Sequence, residues 1–430
     1  MEGSFLRKSF YGLIISILFL SFAISIFYSD LVLAPQSILI KNEHENEPLI
    51  SNTKSQSESM MRGVWYSYLD WLNLMNQSTE NGSVSAEKFK QNVEKVCSNL
   101  SSISTNNLFL HVRAFGDAFY PSDLAVRSKF LKNLNLSQID PLKFFINCAK
   151  KHNIKVHGWM NPMRVFNTAD FDKVPDDFEI KKWFSNEKQR HDYFVGIDAY
   201  DCWVLNPCNE QVVNLIISIE QELLKNYNLD GIHIDDYFFP TAVKHTNYDL
   251  AFQKKVAPNV EINQFRFQGV SNLIKKMHDK CHEMRPDAVF GAAIIGNLNV
   301  NKSAYADVEA WVKQGIVDYL MPEIYYSFKN LAMPFNRCVQ EWNSLIEKSK
   351  TKLKLYVGLA AYKLGKEHQK NDQGWQEIGN ILQTQHLHCA KNLKNYEGYC
   401  LFDYKSIFDE AGNKKLDCAK ELDALNSCFN

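Results

Sequence analysis

Asn228-Leu-Asp-Gly-Ile-His-Ile-Asp-Asp-Tyr-Phe-Phe-Pro240 is the stretch that decides how the rest of the chain is interpreted. Its Asp-Gly turn leads into a short β-branched run, Ile232 to Ile234, which ends in two carboxylates, three aromatic residues and a proline. A buried parallel strand whose carboxyl end opens into a site has this pattern. We therefore predict a strand here, followed by a loop that carries functional side chains.

The side chains of successive strand residues point to opposite faces. His233, Asp235 and Tyr237 should therefore share one face, while the two isoleucines and Asp236 share the other. If the first face looks into a barrel, Asp235 lies at the barrel mouth with an imidazole beneath it. A simpler interpretation is that the Asp235-Asp236 pair caps the next helix, because Asp is a preferred N-cap residue. Capping needs only one Asp, however, and does not need the aromatic cluster that follows.

Short apolar runs alternate with helix-length segments from residue 60 onward. A longer segment rich in Asp, Lys, Phe and Trp interrupts the alternation after the third run. Eight strand-helix units predict an α/β fold, a single (β/α)8 TIM barrel with an insertion between the third strand and its helix. An open doubly wound sheet is the alternative, but no glycine-rich phosphate turn follows any strand. The predicted strands are 62–68, 108–114, 155–160, 232–234, 289–295, 317–325, 355–361 and 398–403, and the first three predicted helices are 86–100, 141–152 and 206–227.

Composition argues against one class of partner. Acidic and basic residues nearly cancel, 49 against 48 in 430 residues, and the chain has no basic run with interleaved aromatic residues. A nucleic acid partner is therefore not expected. Aromatic residues make up 13% of the chain. This suits a protein that stacks aromatic rings on neutral sugars, although phenylalanine first of all builds the core.

The N-terminus predicts a targeting signal. Two cations precede an apolar run whose length is nearer the ~20 residues of a bilayer-spanning helix than the ~7–15 of a signal peptide, and no convincing cleavage site follows. Because the cations come first, the bulk of the chain should be lumenal or extracellular, as in a single-pass type II membrane protein. A cleaved signal and a secreted protein are the alternative. The predicted boundaries are a short cytosolic tail at 1–9, a signal anchor at 10–28, a disordered stalk at 29–59, the barrel at 60–410 and a C-terminal tail at 411–430.

Ten cysteines fit an oxidising compartment. Disulfide bonds are plausible between Cys202 and Cys208, which would close a small loop, and between Cys418 and Cys428. A zinc site is the competing interpretation, and it is disfavoured because no Cys-x-x-Cys occurs and the histidines are scattered without ligand spacing. Sequons that would make the protein a glycoprotein are about as frequent as chance gives, and they begin at Asn76, Asn81, Asn99, Asn135 and Asn301.

Polar and aromatic side chains recur at the carboxyl ends of the predicted strands. Active sites of (β/α)8 barrels lie at this face, so these side chains should converge on one crevice. Taken singly, Trp65 or Tyr325 is explained as well by core packing, and Arg164 by pairing with an acid. Their repetition across the strand ends indicates a site. The predicted substrate-binding residues are Trp65, Arg113, Asp117, His157, Trp159, Asn161, Arg164, Asn206, His233, Tyr237, Tyr325, Tyr362 and Asp403.

Carboxylates among aromatic and amide side chains indicate glycoside hydrolysis of a carbohydrate substrate. That reaction needs one carboxyl group to protonate the leaving oxygen and another as nucleophile or base. Asp235 is the nucleophile candidate. Glu323 ranks first as the acid because it ends a different strand and would face Asp235 across the mouth, and Asp236 is the third catalytic candidate. A carboxyl group held against Trp and Tyr would have a raised pKa, as an acid catalyst requires.

The same lining fits a second function. A carbohydrate-binding barrel that has lost turnover would keep its aromatic and amide side chains. A lyase or isomerase barrel would instead need a divalent metal or a catalytic lysine at a strand end, and the strand ends offer neither. We therefore expect no metal and no cofactor.

Several motifs resemble, in order, those of the glycosyl-hydrolase-like 10 family. The Asp-Asp-Tyr-Phe-Phe-Pro motif is the most specific of them. The family was long known as a domain of unknown function and includes bacterial envelope proteins that act on peptidoglycan glycan strands. The motifs are Met61-Arg-Gly-Val-Trp65, His111-Val-Arg-Ala-Phe-Gly-Asp117 with Tyr120-Pro-Ser122, Val156-His-Gly-Trp-Met-Asn-Pro-Met-Arg164, Leu205-Asn-Pro207, Asp230-Gly-Ile-His-Ile-Asp-Asp-Tyr-Phe-Phe-Pro240, Tyr305-Ala-Asp-Val-Glu-Ala-Trp311 and Tyr356-Val-Gly-Leu359.

The resemblance implies a (β/α)8 barrel with glycosidase activity. The segment from Asp230 to Asp235 also resembles the α-amylase pattern Asp-Gly-x-Arg-x-Asp, whose final Asp is the nucleophile, with His233 in the place of the arginine. The chain departs from the family at two places. The family commonly has Gln where this chain has Glu323, so an acid role for Glu323 rests on chemistry alone. The fifth strand usually ends in Ser-Pro-Ala-Gly, whereas here Ala292-Ala-Ile-Ile-Gly296 occurs, so the substrate is expected to differ there.

Overall fold

Eight parallel strands close into a barrel in the computed structural model, which describes residues 60–240, 248–366 and 371–429. Each strand pairs with the next along the chain, and the last pairs with the first. This confirms the predicted barrel, and every strand lies within two residues of its predicted position. The strands are β1 Met61–Tyr66, β2 Asn107–Arg113, β3 Lys155–Met160, β4 Gly231–Ile234, β5 Val289–Ile295, β6 Tyr319–Glu323, β7 Lys354–Leu359 and β8 Tyr396–Leu401.

Helices surround the barrel. Polar caps mark several of their starts, because a side-chain oxygen there accepts an otherwise unpaired backbone N–H. Ser85 caps α2, Asp140 caps α3, and Asn209 caps α7. The described helices are α1 Tyr68–Gln77, α2 Ala86–Ser102, α3 Pro141–Lys151, α4 Thr168–Phe171, α5 Glu179–Ser185, α6 Arg190–Tyr193, α7 Glu210–Asn226, α8 Leu250–Val256, α9 Ile262–Met284, α10 Val308–Gln314, α11 Phe335–Ser349, α12 Ile381–Asn392, α13 Tyr404–Ile407 and α14 Leu416–Asn426.

The segment between β3 and α7 forms a small subdomain of its own. Three antiparallel strands make its sheet, Arg164–Asn167, Phe194–Ile197 and Cys202–Leu205, with the last in the middle. Phe171 and Phe184 stack beneath it with ring centroids 3.9 Å apart. This insertion holds Arg164 at a fixed position after β3, which matters for the site.

Apolar side chains pack in two layers. The larger layer lies between the strands and the helices and contains Ile232 and Ile234. The smaller layer fills the barrel interior and contains Trp65, Phe109, Met61, Trp159, Ala293, Tyr319, Met321 and Cys400. The alternation of β4 therefore runs as predicted, with its isoleucines outward and His233 in contact with Trp65 inside the barrel.

Two predictions about the ends of elements need correction or extension. Helix α7 begins at Glu210, not at Asn206, because Asn209 supplies the N-cap and its side chain accepts from Gln211 N. The stretch 411–430, predicted as a tail, contains helix α14, whose Cys418, Leu422 and Leu425 are buried. The segments predicted at 1–9, 10–28 and 29–59 lie outside the described residues. Of the helices in the described part of the chain, none has the length and apolar character needed to span a bilayer.

All ten cysteines lie in the described residues and all are free thiols. The predicted disulfide bonds are therefore not formed. The Cys208 thiol points to the backbone oxygen of Phe265 at 3.4 Å, and the Cys418 thiol to that of Ser406 at 3.3 Å. The sequon at Asn301 is also unsuitable for glycosylation, because this side chain is 1% exposed and donates to the backbone oxygen of Ile295.

Helix α7 contains a buried acid that offers a stability test. Glu220 is fully buried, and neither carboxyl oxygen has a hydrogen-bond partner among the described residues. Burial raises the pKa of Glu220 well above its usual range, and Lys280 opposes this only in part. Folding at neutral pH therefore requires proton uptake at Glu220, which costs free energy.

We expect Glu220→Gln to raise the free energy of unfolding at pH 7. The unfolded side chain has a pKa of about 4.3, so the advantage should vanish below that pH and grow as pH rises toward the folded-state pKa. Urea unfolding across pH measures it. Glu421→Gln is the matched control, because Glu421 is equally buried but accepts from the backbone N–H groups of Gly379 and Leu382. Its replacement should destabilise, and a Glu220→Gln effect independent of pH would contradict the account.

Candidate active site

Asp235 follows the last residue of β4 and is 3% exposed. Its Oδ2 accepts from Trp159 Nε1 at 3.2 Å and from Asn161 Nδ2 at 3.4 Å, both from the end of β3. Its Oδ1 is buried and has no partner among the described residues. Burial and the neighbouring Asp236 raise the pKa of Asp235 to about 8, against the opposing effects of Arg164 and Trp159. Asp235 is thus a buried carboxyl group that two side chains from the end of β3 hold in place.

His233 lies beneath this carboxyl group, as predicted, and is fully buried. Its Nε2 is 3.1 Å from Trp65 Nε1, and its Nδ1 is 2.9 Å from the Tyr319 hydroxyl. An indole N–H can only donate, so Nε2 accepts and the proton lies on Nδ1. Burial holds the pKa of His233 well below its usual value, so the ring is neutral. Trp65 and His233 therefore form the floor of the site and do not reach its open side.

Glu323 ends β6 and is partly exposed. Burial of the carboxyl group raises its pKa well above the usual range, and the charges of Asp236 and Asp235 raise it further. The pKa of Asp236, also partly exposed, is raised by burial to about 6, with Arg164 opposing the shift. The three predicted catalytic carboxyl groups thus lie close enough to influence one another's ionisation. Since like charges resist sharing a site, at least one of them should hold a proton at neutral pH.

Arg164 supplies positive charge to one side of this cluster. Its Nε lies 2.7 Å from Asp198 Oδ2, and both side chains are largely buried. The guanidinium lies 4.0 Å from the ring centre of Tyr237 and 4.6 Å from that of Tyr200, which are cation–π contacts. Arg164 lowers the pKa of both Asp235 and Asp236, whereas the two aspartates raise that of Glu323. Asp236, with a pKa of about 6, therefore ionises before Asp235, whose pKa of about 8 makes it ionise only on the alkaline side of neutrality.

Partly exposed aromatic rings line the mouth. Tyr237 is 37% exposed, and Tyr325, Tyr362 and Phe402 are each partly exposed. The Tyr325 and Tyr362 rings meet edge to face with centroids 5.6 Å apart, and Phe402 lies 5.8 Å from Tyr325. Flat apolar faces beside polar groups are what sugar rings need, because their axial C–H groups pack on aromatic rings while their hydroxyl groups require partners.

Arg113 and Asp117 are predicted at the barrel mouth as substrate-binding residues, but in the structure both are buried and have structural roles. A bulge between His111 and Arg113 places Arg113 opposite Met160, whose side chain packs in the outer layer. Strict alternation would have put Arg113 on the same face as His111. Asp117 is 2% exposed and accepts from the backbone N–H groups of Ala114 and Phe115, so it stabilises the turn after β2.

Three further predicted contacts are also structural. His157 lies opposite Gly231, near the amino end of the barrel, and bonds to Asn107. Asn206 is fully buried and donates to the backbone oxygen of Asp192 while accepting from Cys208 N, which shapes the turn before α7. Asp403 is 1% exposed and is bound by Ser406 and Lys405.

Sequence reasoning missed the residues of the insertion that hold Arg164. Asp198 and Tyr200 lie far along the chain from any strand end, and only the paired strands Arg164–Asn167 and Cys202–Leu205 bring them to the mouth. No local pattern marks them. His111, expected to be core, is 3% exposed and stacks on Trp159 with centroids 3.8 Å apart, so it sets the orientation of the indole that donates to Asp235.

Comparisons with known proteins place this barrel among carbohydrate-active proteins. The sequence model of the glycosyl hydrolase-like 10 family matches residues 60–377. The chain is 27% identical over 352 residues to glycosyl hydrolase DigH of Escherichia coli K12, covering 76% of this chain and 79% of that protein. It is 25% identical over 345 residues to glycosyl hydrolase YngK of Bacillus subtilis 168, covering 74% of this chain but only 63% of that protein.

Solved structures give the same fold. The glycoside hydrolase domain of PgaB (BpsB) from Bordetella bronchiseptica matches with a TM-score of 0.55 at 12% identity, covering 86% of this chain and 99% of that domain. Identity this low shows a shared fold and no more.

Proposed function

The chain belongs to the glycosyl hydrolase-like 10 family, and on that premise we propose that it cleaves glycosidic bonds of a poly- or oligosaccharide by a two-carboxylate mechanism. The observation that carries the proposal is the placement of Asp235 and Asp236 directly after β4 and of Glu323 at the end of β6, close enough that the two aspartates raise the pKa of Glu323. Glycoside hydrolysis needs one ionised and one protonated carboxyl group. This cluster can supply that division once Asp235, whose pKa is about 8, has lost its proton, so we expect turnover to rise toward that pH.

Glu323 is the proposed proton donor. Its raised pKa favours the protonated form that a general acid needs, and its partial exposure lets a glycosidic oxygen approach. Asp235 is the proposed nucleophile. The indole of Trp159 and the amide of Asn161 hold its carboxyl group in one orientation at the end of β4. Fixing the nucleophile in this way reduces the entropy lost on reaching the transition state.

The mouth supplies binding as well as chemistry. Tyr237, Tyr325, Tyr362 and Phe402 are at least partly exposed and offer ring faces to a sugar. A screen of glycans, including peptidoglycan glycan strands, with release of reducing ends as the readout tests the proposal. Binding of glycans with no turnover by the full chain would instead indicate a carbohydrate-binding barrel.

Trp159→Phe tests how Asp235 is held. The phenyl ring can still stack on His111, but the N–H bond to Asp235 is lost. That bond favours the ionised form, so the pKa of Asp235, already raised to about 8, should rise further. We expect the acidic limb of the kcat/KM profile to move to higher pH, and the rate at neutral pH to fall about 10-fold, the equivalent of one hydrogen bond.

The matched control is Trp342→Phe. Its indole also donates from a buried site, to the backbone oxygen of Gly296, but it does not touch the carboxyl cluster. The Trp342→Phe substitution should lower the free energy of unfolding and leave the acidic limb of the kcat/KM profile at the same pH. If the acidic limb of the Trp159→Phe profile stayed at the same pH as in the parent, the ionisation of Asp235 would not control turnover.

A further inference from the structure

Helix α9 carries two histidines near its end. His278 and His282 are four residues apart, which puts them on one face of the helix, and their ring centroids are 4.6 Å apart. The helix leads directly into β5, so this pair lies at the amino end of the barrel, opposite the mouth. It is therefore separate from the carboxyl cluster.

Asp318, the residue before β6, meets both rings. Its Oδ2 lies 3.0 Å from His282 Nε2, and its Oδ1 lies 3.8 Å from His278 Nε2. The carboxylate is itself fixed, because its Oδ2 accepts from the backbone N–H of Phe290 at 2.6 Å. Two nitrogens and one oxygen, each from a different side chain, thus face one small volume.

The spacing suits a tetrahedral metal ion. Ligand atoms about 2.0 Å from zinc are about 3.3 Å from one another. Asp318 Oδ1 lies 3.3 Å from His282 Nε2 and 3.8 Å from His278 Nε2, both near that value, and one ligand atom from each of the three residues lies within 4.8 Å of the others. Small side-chain rotations would close the site around an ion.

The surroundings of His278 support the same interpretation. Its other nitrogen, Nδ1, is 3.2 Å from Asp279 Oδ1. A carboxylate in that place accepts the ring N–H, which leaves the Nε2 lone pair for a metal, as is common around zinc-bound histidines. The side chains of His278, His282 and Asp318 are 17%, 33% and 30% exposed, so an ion can enter and a water molecule can complete its coordination.

An ion pair alone explains the cluster less well. An ion pair with Asp318 needs only one imidazole, whereas here Nε2 of both rings faces the same carboxylate and the ring centroids are 4.6 Å apart. One divalent cation instead satisfies both rings and the carboxylate. We propose that His278, His282 and Asp318 form a Zn2+ site, with water as the fourth ligand, that ties the end of α9 to the strands at the base of the barrel. The expectation of no zinc ligand spacing overlooked this pair of histidines.

Zinc binding to the full, untagged chain tests the proposal. After treatment with a chelator, addition of Zn2+ should raise the Tm by a few degrees, since an ion that binds only the folded state stabilises it. His278→Gln and His282→Gln should each abolish that rise. His388→Gln is the matched control, because His388 is a half-buried helical histidine with an amide and no acid beside its ring. Its variant should respond to Zn2+ as the parent does.

A second cluster makes the test sharper. Glu94, Cys148 and His152 also lie within ligand distance, although Lys151 already pairs with Glu94 at 3.0 Å. Co2+ in the proposed site should give the visible absorption of tetrahedral nitrogen and oxygen ligation without a thiolate-to-metal charge-transfer band. A thiolate band that disappears in Cys148→Ser, or a Zn2+ response that survives in both histidine variants, would overturn the proposal.

Discussion

Asp235→Asn should abolish glycan turnover while leaving the barrel folded and able to bind sugar. An amide cannot attack the anomeric carbon, so we expect kcat to fall by on the order of 10⁴-fold or more. The substitution is nearly isosteric, and Trp159 and Asn161 still surround the side chain. Reducing-end release measures turnover, and titration of the same glycan by calorimetry measures binding.

Stability gives this variant a second readout. Because burial and Asp236 raise the pKa of Asp235 to about 8, folding at neutral pH requires proton uptake there, as at Glu220. A neutral asparagine removes that cost, so the Tm of Asp235→Asn should equal or exceed that of the parent at pH 7. Loss of activity with a maintained Tm would exclude misfolding as the cause.

Asp236→Asn is the matched control. Asp236 is adjacent in sequence and partly exposed in the same mouth, with its pKa raised to about 6. Replacing Asp236 should reduce turnover less than replacing Asp235 does. If Asp236→Asn were the inactive form and Asp235→Asn retained turnover, the nucleophile would be Asp236.

Glu323→Gln should have the second largest effect. A glutamine cannot donate a proton to the leaving oxygen, so we expect a loss of about 10²–10⁴-fold on natural glycans. Substrates with an activated aryl leaving group need little protonation, and their cleavage should be far less impaired. The basic limb of the pH profile, which reports loss of the Glu323 proton, should also disappear.

This substitution introduces the residue that the family commonly has after the sixth strand. If Glu323→Gln keeps full activity on natural glycans, the acid lies elsewhere and Asp236 becomes the first candidate. Glu397→Gln, at an exposed position of β8, is the matched control and should not change the rate. If Glu323→Gln loses activity and Glu397→Gln does not, this chain uses Glu323 as its proton donor, at a position where the family commonly has Gln.

The sequence predicts the barrel closely because eight short apolar runs alternate with helix-length segments and no glycine-rich phosphate turn supports the alternative open sheet. The carboxyl groups after β4 and at the end of β6 come close enough in the structure to affect one another's ionisation. Asp235, Asp236 and Glu323 lie together because parallel strands of a closed barrel bring their carboxyl ends to one rim.

Other side chains were beyond sequence reasoning for identifiable reasons. The prediction for Arg113 was wrong because a bulge in β2 turns its side chain to the other face of the strand. A bulge has no reliable local signature in the sequence. Asp198 and Tyr200 approach Arg164 through the pairing of the insertion strands, which depends on tertiary structure. Asp403 has the right residue type at a strand end, but Ser406 and Lys405 already bind its carboxylate. Residue type and position therefore predict which side chains lie at the carboxyl ends of the strands. Only the contacts seen in the structure show which of them are already engaged by the protein and which can meet a substrate.

A crystal structure of the full chain carrying Glu323→Gln, with a bound oligosaccharide that the parent enzyme cleaves, would test the central claim most directly. The account predicts that the anomeric carbon of the scissile bond lies about 3–3.5 Å from a carboxyl oxygen of Asp235, within attacking distance. The glycosidic oxygen should face residue 323. A sugar bound with its glycosidic bond out of reach of Asp235 and Asp236 would contradict the proposed hydrolase.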